Sequence, residues 1–196
     1  MAATTIPGDR QAQRRILGAV LAGGRSRRFG SDKALAELDG RALIDRAIAD
    51  LSASVEAVAV CGREVAGRLS LPDRPRADLG PLGGLNAALH HAAGHGYAGV
   101  LSTGCDMPVF PARLAAMLVG EGAAIVEGQH LVGYWPVALA AALDAHLAAS
   151  DDRSIRAWLA LARPRIIAFG APLPNINTPA DLAALEQEWP DTDGTG

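Results

Sequence analysis

The stretch LAGGRSRRFGSDK, from Leu21 to Lys33, decides how this chain is interpreted. It continues an apolar run, Ile16 to Leu21, that is typical of a buried strand. Its paired glycines let the backbone approach a ligand closely because they carry no Cβ. The remainder holds one acid, Asp32, and a group of cations, namely Arg25, Arg27, Arg28 and Lys33. Backbone N–H groups and cations that converge on one loop indicate a site for a nucleoside triphosphate.

The stretch is neither of the two common phosphate-binding motifs. It lacks the G-x-x-x-x-G-K-[ST] pattern of the P-loop, because Lys33 follows Ser31 and Asp32 rather than a glycine. It also lacks the G-x-G-x-x-G that follows the first strand of dinucleotide-binding domains. Taken alone, it is also consistent with a Gly-Gly turn and a solvated basic loop.

The composition indicates a globular protein with one domain. The chain has 196 residues, of which 49% are apolar, so it can bury a sizeable core. Its net charge of −3 does not indicate general affinity for nucleic acid, and the local basic cluster suits a small polyanion. We expect a single domain over residues 16–189, between disordered tails at 1–15 and 190–196.

The cysteines and histidines do not indicate a metal site. Cys61 and Cys105 lie in apolar runs and are predicted to be reduced, buried thiols. On a helix, His90 and His91 would point about 100° apart, and no carboxylate or thiol accompanies them or His95.

No apolar run is long enough to cross a membrane, and residues 1–15 lack the apolar segment of a signal peptide. We therefore expect a cytoplasmic protein.

Strand-like and helix-like segments alternate along the chain. Strands are predicted over 16–21, 55–61, 99–102, 123–126, 131–135 and 165–169. Helices are predicted over 43–53, 82–93, 112–119, 137–149, 154–161 and 179–188. This alternation predicts an α/β fold with a mostly parallel sheet covered on both faces. Ligands of such sheets bind at the carboxyl ends of strands, where the loop after Leu21, Asp73 and Asp106 all fall.

Asp106 is the candidate metal ligand. It lies in STGCDMP, residues 102–108, at the end of a predicted strand. Mg²⁺ prefers oxygen ligands and usually takes one or two protein carboxylates, with phosphates and water completing its shell. Beside a triphosphate loop, Asp106 is predicted to hold Mg²⁺. The alternative is an aspartate that caps a turn before Pro108.

Four segments together resemble the molybdenum cofactor guanylyltransferases, the MobA type of the Rossmann-like nucleotidyltransferase group. The family pattern L-A-G-G-x-S-x-R-x-G-x-D-K is matched at Leu21, Ala22, Gly23, Gly24, Ser26, Arg28, Gly30, Asp32 and Lys33. C-D-x-P is matched around Asp106, G-P-L-x-G-L at 80–85, and N-x-N-T-P-x-D-L at 175–182. Three positions depart from the pattern, namely Phe29, Cys61 and Met107. The resemblance covers about residues 17–185 and implies a three-layer Rossmann-like nucleotidyltransferase domain.

The resemblance also implies an activity and a set of site residues. The enzyme would transfer GMP from GTP to the phosphate of molybdopterin, releasing pyrophosphate. The implied catalytic residues are Lys33, Asp106 and Arg28, with Mg²⁺ on Asp106. The implied nucleotide-binding residues are Leu21, Ala22, Gly23, Gly24, Lys33, Asp73, Gly80, Gly83 and Asp106. The implied pterin-side residues are Asn175 and Asn177, although Thr178, Pro179 and Asp181 also predict a helix start there.

Several alternatives remain open at this level. Either Asp73 or Asp78 could read the base, and Asp73 could instead contact the ribose. Arg153 and Arg156 could meet the acceptor phosphate or form a solvated helix face. The alternative functions are a nucleotidyltransferase for CTP or a sugar phosphate, and a non-catalytic carrier of the cofactor. The expected partners are GTP, molybdopterin and, transiently, cofactor-delivery proteins or molybdoenzymes, with neither nucleic acid nor membrane.

Overall fold

A computed structural model describes residues 14–23, 29, 32–149, 152 and 154–188. The strands are β1 Ile16–Leu21, β2 Glu37–Leu38, β3 Arg41–Ala42, β4 Ala57–Cys61, β5 Leu69–Leu71, β6 Gly99–Gly104, β7 Ala124–Val126, β8 Gln129–Pro136 and β9 Arg165–Ile167. The helices are α1 Leu43–Ser52, α2 Pro81–Gly94, α3 Ala112–Leu118, α4 Ala140–Ala149, α5 Ile155–Ala162 and α6 Pro179–Glu188. Short 3₁₀ helices cover Lys33–Leu35 and Val137–Leu139.

Seven strands form one mixed sheet in the order β5-β4-β1-β6-β8-β7-β9. All neighbouring pairs are parallel except those that involve β8, which runs antiparallel to β6 and β7. The mostly parallel sheet predicted from the sequence is therefore confirmed. Leu21 pairs with Cys61 on one side and with Gly104 on the other. The carboxyl ends of β1, β4 and β6 consequently lie at the same level of the sheet.

Side chains of β1 alternate between two apolar cores, which lie on opposite faces of the sheet. Ile16 and Val20 pack with residues of α1 and α3. Leu17, Ala19 and Leu21 pack with residues of α2, α4 and α5. Because both faces are covered, β1 is buried along its whole length and appears in the sequence as a continuous apolar run. This is the predicted three-layer arrangement.

Short elements are where the structure departs from the predictions. The hairpin of β2 and β3 was not predicted, although its turn is Asp39-Gly40, both with positive φ, and Asp-Gly is a strong hairpin signal. β5 and the 3₁₀ helix at Lys33–Leu35 were also missed, because three residues carry too little periodicity. The predicted helix over 137–149 begins with a 3₁₀ turn before α4. The last strand ends at Ile167 rather than at residue 169.

The predicted tails fall largely outside the described residues, at 1–13 and 189–196. Arg14 and Arg15 are described: Arg14 donates to the carbonyl of Gly120, and Arg15 pairs with Glu56. Cys61 is buried and Cys105 half-buried, and neither forms a disulfide. Burial raises the pKa of the Cys61 thiol to about 12, with a further contribution from the Asp73 carboxylate. Over the described ranges, no helix combines the length and apolar character that crossing a membrane requires.

Candidate active site

Two adjoining cavities open at the carboxyl ends of β1, β4 and β6, and Gly23 lines both. The larger cavity has a volume of about 460 Å³ and is lined by Gly23, Gly62, Arg63, Glu64, Ser70, Pro72, Asp73, Ala77 and Asp78. The smaller has a volume of about 170 Å³ and is lined by Leu21, Ala22, Gly23, Asp32, Lys33, Ala34, Pro81, Gly104, Cys105, Asp106 and Leu131. Most of the candidate nucleotide-binding residues thus meet at one edge of the sheet.

An ion pair between Lys33 and Asp106 is the chemical centre of the smaller cavity. Lys33 Nζ donates to Asp106 Oδ2 at 3.0 Å, and the lysine is only 9% exposed. Lys33 is the only lysine of the chain, which otherwise uses arginine for its basic side chains. A compact ammonium beside a carboxylate can bind phosphate oxygens and a hard cation at the same place.

The turn after β6 places the Asp106 carboxylate in this cavity. A Cβ at Gly104 would overlap Asp106 Oδ1, so only glycine leaves room for this orientation. Met107 N–H donates to the Gly104 carbonyl at 3.3 Å and closes the turn. The Met107 side chain, at a position where the sequence departs from the family pattern, is buried in the apolar core. It therefore packs and does not line the site.

Where the two cavities adjoin, the backbones of Gly23 and Gly62 are in close contact. A Cβ built at Gly62 would lie 2.6 Å from Gly23 Cα, and Gly62 has a φ of +82°. The Ala22 N–H also donates to the Cys61 carbonyl at 2.9 Å, which extends the β1–β4 pairing toward the site. Gly62 leaves no room for a side chain, and a Cβ at Gly23 would lie only 3.2 Å from Gly62 Cα.

We expect Gly62→Ala to damage this site more than Gly67→Ala does. Gly67 is the matched control because its φ is +71° but a Cβ there would have no neighbour within 4 Å. Both alanines carry a left-handed backbone strain of about 1–2 kcal/mol, so their difference isolates the contact with Gly23. Thermal unfolding and nucleotide titration measure it. We expect Gly62→Ala to bind nucleotide at least about tenfold more weakly than Gly67→Ala, and equal behaviour would contradict the contact's importance.

Asp73 is half-buried and lines the larger cavity. Its Oδ1 is buried and accepts no hydrogen bond from any residue that the structure describes. Burial raises the pKa of the Asp73 carboxyl, the Leu79 N–H opposes that shift, and the nearby Asp78 adds to it. A Cβ at Gly83 would lie 2.9 Å from Asp73 Cγ, so the helix start must be glycine for the carboxylate to fit. A carboxylate in a cavity wall, with one oxygen that has no partner among the described residues, is a candidate acceptor for the N–H donors of a ligand.

Asp78 and Gly80 occupy different positions from Asp73. Asp78 also lines the larger cavity but is exposed. Gly80 precedes α2 and has open space around its Cα, and it lines neither cavity. Its role in the structure is to begin the helix. Gly24 and Arg28, which the resemblance also implicates, lie outside the described residues, as does Arg153.

The NINTPADL segment is attached to the Asp106 turn and caps a helix. The Ile176 N–H donates to the Asp106 carbonyl at 3.0 Å. Thr178 Oγ1 accepts from the Asp181 N–H at 3.2 Å, and Asp181 Oδ2 accepts from the N–H groups of Asn177 and Thr178 at 2.8 Å. The predicted start of α6 is thus confirmed, with both partners of a reciprocal cap.

The two candidate pterin-side asparagines line neither of these cavities. Asn177 is exposed, whereas Asn175 is half-buried and donates through Nδ2 to Gln129 Oε1 at 3.2 Å. The Oδ1 of Asn175 is buried without a partner among the described residues. Gln129 belongs to a third cavity, of about 360 Å³, which is lined by Val126, Glu127, Gln129, Ala168, Phe169, Gly170, Ala171 and Leu173.

Sequence reasoning missed Arg63 and the glycines at positions 62 and 104. Cys61 packs in the apolar core, whereas Gly62 and Arg63 line the larger cavity. Arg63 reaches across to Asp32, with Nη1 donating to Oδ1 at 3.0 Å and Nη2 pairing with Oδ2. The rule that sites follow strand ends could have found Arg63, because Gly62-Arg63 directly follow a predicted strand.

Comparisons with known proteins identify the relatives of this chain. Residues 18–166 match the MobA-like NTP transferase domain family. The chain is 38% identical over 182 residues to the molybdenum cofactor guanylyltransferase of Rhodobacter capsulatus, covering 88% of this chain and 95% of that protein. It is 38% identical over 192 residues to the protein of the same name from Rhizobium leguminosarum bv. trifolii, covering 88% and 92%.

Solved structures share the fold at lower identity. The molybdopterin-guanine dinucleotide biosynthesis protein A of Archaeoglobus fulgidus superposes with a TM-score of 0.68 at 23% identity, over 88% of this chain and 97% of that one. The 2-C-methyl-D-erythritol 4-phosphate cytidylyltransferase of Thermus thermophilus gives a TM-score of 0.66 at 17% identity, over 90% and 98%. The Rossmann-like nucleotidyltransferase fold is thereby confirmed. The match over residues 18–166 and the 38% identity over most of the chain place this protein in the MobA-like NTP transferase domain family.

Proposed function

We propose that this chain transfers GMP from GTP to the terminal phosphate of molybdopterin, releasing pyrophosphate and forming the guanine dinucleotide form of the cofactor. The observation that carries the proposal is the ion pair of the buried Lys33 with the half-buried Asp106, beside Gly23 at the carboxyl ends of β1 and β6. The names of the relatives at 38% identity support the choice of GTP and of the molybdenum cofactor. A carrier that only binds the product would have no need of this charge arrangement.

The two cavities divide the nucleotide between them. The larger, with Asp73 and Asp78 in its wall, has room for guanosine, and the smaller holds the phosphates against Lys33. Gly23, where the cavities meet, lies at the junction of nucleoside and triphosphate. The two ends of the substrate are thereby held in a fixed relation to the attacked phosphorus, which is the main source of rate in such transfers.

Lys33 stabilises the negative charge that develops during the transfer. Its ammonium donates to the phosphate oxygens, and the family pattern gives the same role to Arg28. The attacking phosphate of the acceptor is already anionic, so the reaction needs no general base. Catalysis by these residues is therefore positioning and electrostatic stabilisation.

Asp106 fits Mg²⁺ in its donor chemistry. Among the described residues no group of three or more His, Cys, Asp or Glu side chains could hold a metal ion alone. A single carboxylate at a phosphate site suits Mg²⁺, because phosphates and water supply its other ligands. When bound, Mg²⁺ neutralises phosphate charge during the transfer.

The acceptor is proposed to bind at the NINTPADL side of the site. Within the described ranges the Oδ1 of Asn175 is buried without a partner, and its Nδ2 donates to Gln129, which lines the third cavity. The same segment is hydrogen-bonded to the Asp106 turn. An amide offers both a donor and an acceptor, as recognition of a pterin edge requires. Asn177 and the exposed Arg156 on α5 remain candidates for the acceptor phosphate.

The product must pass to other proteins, because it is a cofactor that they use. Transient contact with cofactor-delivery proteins or molybdoenzymes is proposed for that transfer. Use of GTP supports a cytoplasmic location. The net charge of −3 gives no reason to propose a nucleic-acid partner.

Pyrophosphate release tests the activity directly. Wild-type protein is incubated with GTP, Mg²⁺ and molybdopterin, and pyrophosphate and the dinucleotide product are measured. Parallel reactions replace GTP with CTP, or molybdopterin with a sugar phosphate. Equal use of CTP would overturn the guanylyltransferase assignment, and binding of the dinucleotide without pyrophosphate release would favour the carrier.

Replacing Asp73 with Asn is expected to reduce the preference for guanine. The carboxylate can accept from both the N1–H and N2–H of guanine, whereas an amide offers a donor where an acceptor is needed. Loss of a charge-assisted hydrogen bond costs about 1.5–3 kcal/mol, so the GTP-to-CTP ratio of kcat/KM should fall about tenfold to a hundredfold. Asp78→Asn is the matched control. If Asp78→Asn lowers the ratio and Asp73→Asn does not, Asp78 reads the base.

A further inference from the structure

Arg63 occupies a defined position directly after β4. Gly62 turns the chain, its N–H donating to the Leu71 carbonyl at 3.0 Å. The following loop is closed by the Val65 N–H, which donates to Ser70 Oγ at 3.0 Å. The Arg63 side chain is 24% exposed and is directed at the loop that follows β1. Hydrogen bonds on both sides of Arg63 therefore fix the backbone path from which its side chain extends.

Asp32 is contacted in two ways at once. Its Oδ1 accepts a hydrogen bond from Arg63 Nη1, and its Oδ2 pairs with Arg63 Nη2. Oδ1 also accepts from the Ala34 N–H at 3.2 Å, which caps the 3₁₀ helix Lys33–Leu35. The residue that starts this short helix is therefore anchored to β4, and the first residue of the helix is Lys33.

We propose that Arg63 is a positioning residue for nucleotidyl transfer. Arg63 holds Asp32, and Asp32 caps the 3₁₀ helix that begins with Lys33. The orientation of Lys33 toward Asp106 and the triphosphate therefore depends on Arg63. A three-residue 3₁₀ helix has little stability of its own, so its place depends on such an anchor. A two-oxygen contact with a planar guanidinium fixes orientation as well as distance. Stabilisation of the phosphate charge by Lys33 then depends on Arg63, although Arg63 itself does not touch the nucleotide.

Two ion pairs lie close together at this edge of the sheet. Lys33 pairs with Asp106, Arg63 pairs with Asp32, and the smaller cavity is lined by Asp32, Lys33 and Asp106. Positive and negative groups alternate through these two pairs, so a change at Arg63 alters the electrostatic environment of Lys33 through Asp32.

The competing explanation is that Arg63 touches the nucleotide itself, since it lines the larger cavity. A double-mutant cycle separates the two. Asp32→Asn keeps a side-chain oxygen for the helix cap but removes the negative charge that pairs with Arg63. If Arg63 acts through Asp32, then Arg63→Ala adds nothing once Asp32 is Asn. If Arg63 binds nucleotide directly, the two losses add.

Lys33 provides a spectroscopic readout, because selective ¹³C-lysine labelling gives one lysine side-chain resonance in this chain. We expect Arg63→Ala and Asp32→Asn each to shift its Cε resonance, and the double variant to resemble Asp32→Asn. Arg68→Ala is the control, because it removes an exposed cation from the same loop that lines neither cavity. An unchanged Lys33 resonance in Arg63→Ala would overturn the proposal.

Binding and turnover complete the test. In metal-free buffer, both single variants should lower the GTP-to-GMP affinity ratio about threefold to tenfold. In the turnover assay with Mg²⁺, their kcat should fall more than their KM rises. Additive losses in the double variant would assign Arg63 to the nucleotide instead. If Arg63→Ala does not fold, Arg63→Gln replaces it, because glutamine keeps much of the aliphatic part of the arginine side chain. This inference rests on the proposed function. Failure of the wild-type protein to use GTP would reject that function. The Lys33 resonance would still show whether Arg63 acts on Lys33 through Asp32.

Discussion

Asp106→Asn is expected to lower kcat about a hundredfold to a thousandfold while the protein remains folded. Asparagine has nearly the same shape, so the room left by Gly104 and the bond from Lys33 to an oxygen can both persist. What disappears is the negative charge that would hold Mg²⁺ against the phosphates. Pyrophosphate release at saturating GTP and molybdopterin measures the loss, and thermal unfolding verifies the fold.

A magnesium titration separates a metal role from a general loss of activity. If Asp106 holds the ion, Asp106→Asn should require a much higher Mg²⁺ concentration for whatever turnover remains. Asp45→Asn, the same change on α1, should leave the Mg²⁺ dependence as in wild type. Near-normal turnover of Asp106→Asn, with an unaltered Mg²⁺ requirement, would remove Asp106 from the metal site.

Lys33→Ala should show the second large effect, a fall in kcat of about a hundredfold. Lys33 is 9% exposed and lines a cavity together with the Asp106 turn, where electrostatic interactions are stronger than in bulk water. Binding of GTP should weaken more than binding of GMP, because the lysine is proposed to meet phosphates that GMP lacks. Calorimetric titration with both nucleotides measures the difference.

Two comparisons make the Lys33 result specific. Arg113→Ala removes a positive charge from α3 at an exposed position that lines neither cavity, and it should bind both nucleotides as wild type does. Lys33→Ala also leaves the Asp106 carboxylate without its lysine partner, so its unfolding temperature must be measured alongside. Equal weakening of GMP and GTP would show that Lys33 does not distinguish the outer phosphates.

Much of the fold was predictable because its signals are local. The run Ile16–Leu21 is apolar at every position, as a strand covered on both faces requires, and it forms β1 over the predicted residues. Thr178, Pro179 and Asp181 lie within four residues of each other and define the start of α6 by capping chemistry alone. Elements of two or three residues could not be predicted in this way, since β5 is held by pairing with β4.

By itself, the sequence determined the family, the alternation of strands and helices, and the expectation that Gly23, Asp73 and Asp106 lie near one edge of the sheet. These follow from contiguous motifs and from the rule that parallel strands end together. Only the tertiary structure decided which distant groups touch. It joined Arg63 to Asp32, packed Gly62 against Gly23, and left an oxygen of Asp73 buried beside the start of α2. Such contacts depend on strand register and on the space between backbones, which no local pattern of residues specifies.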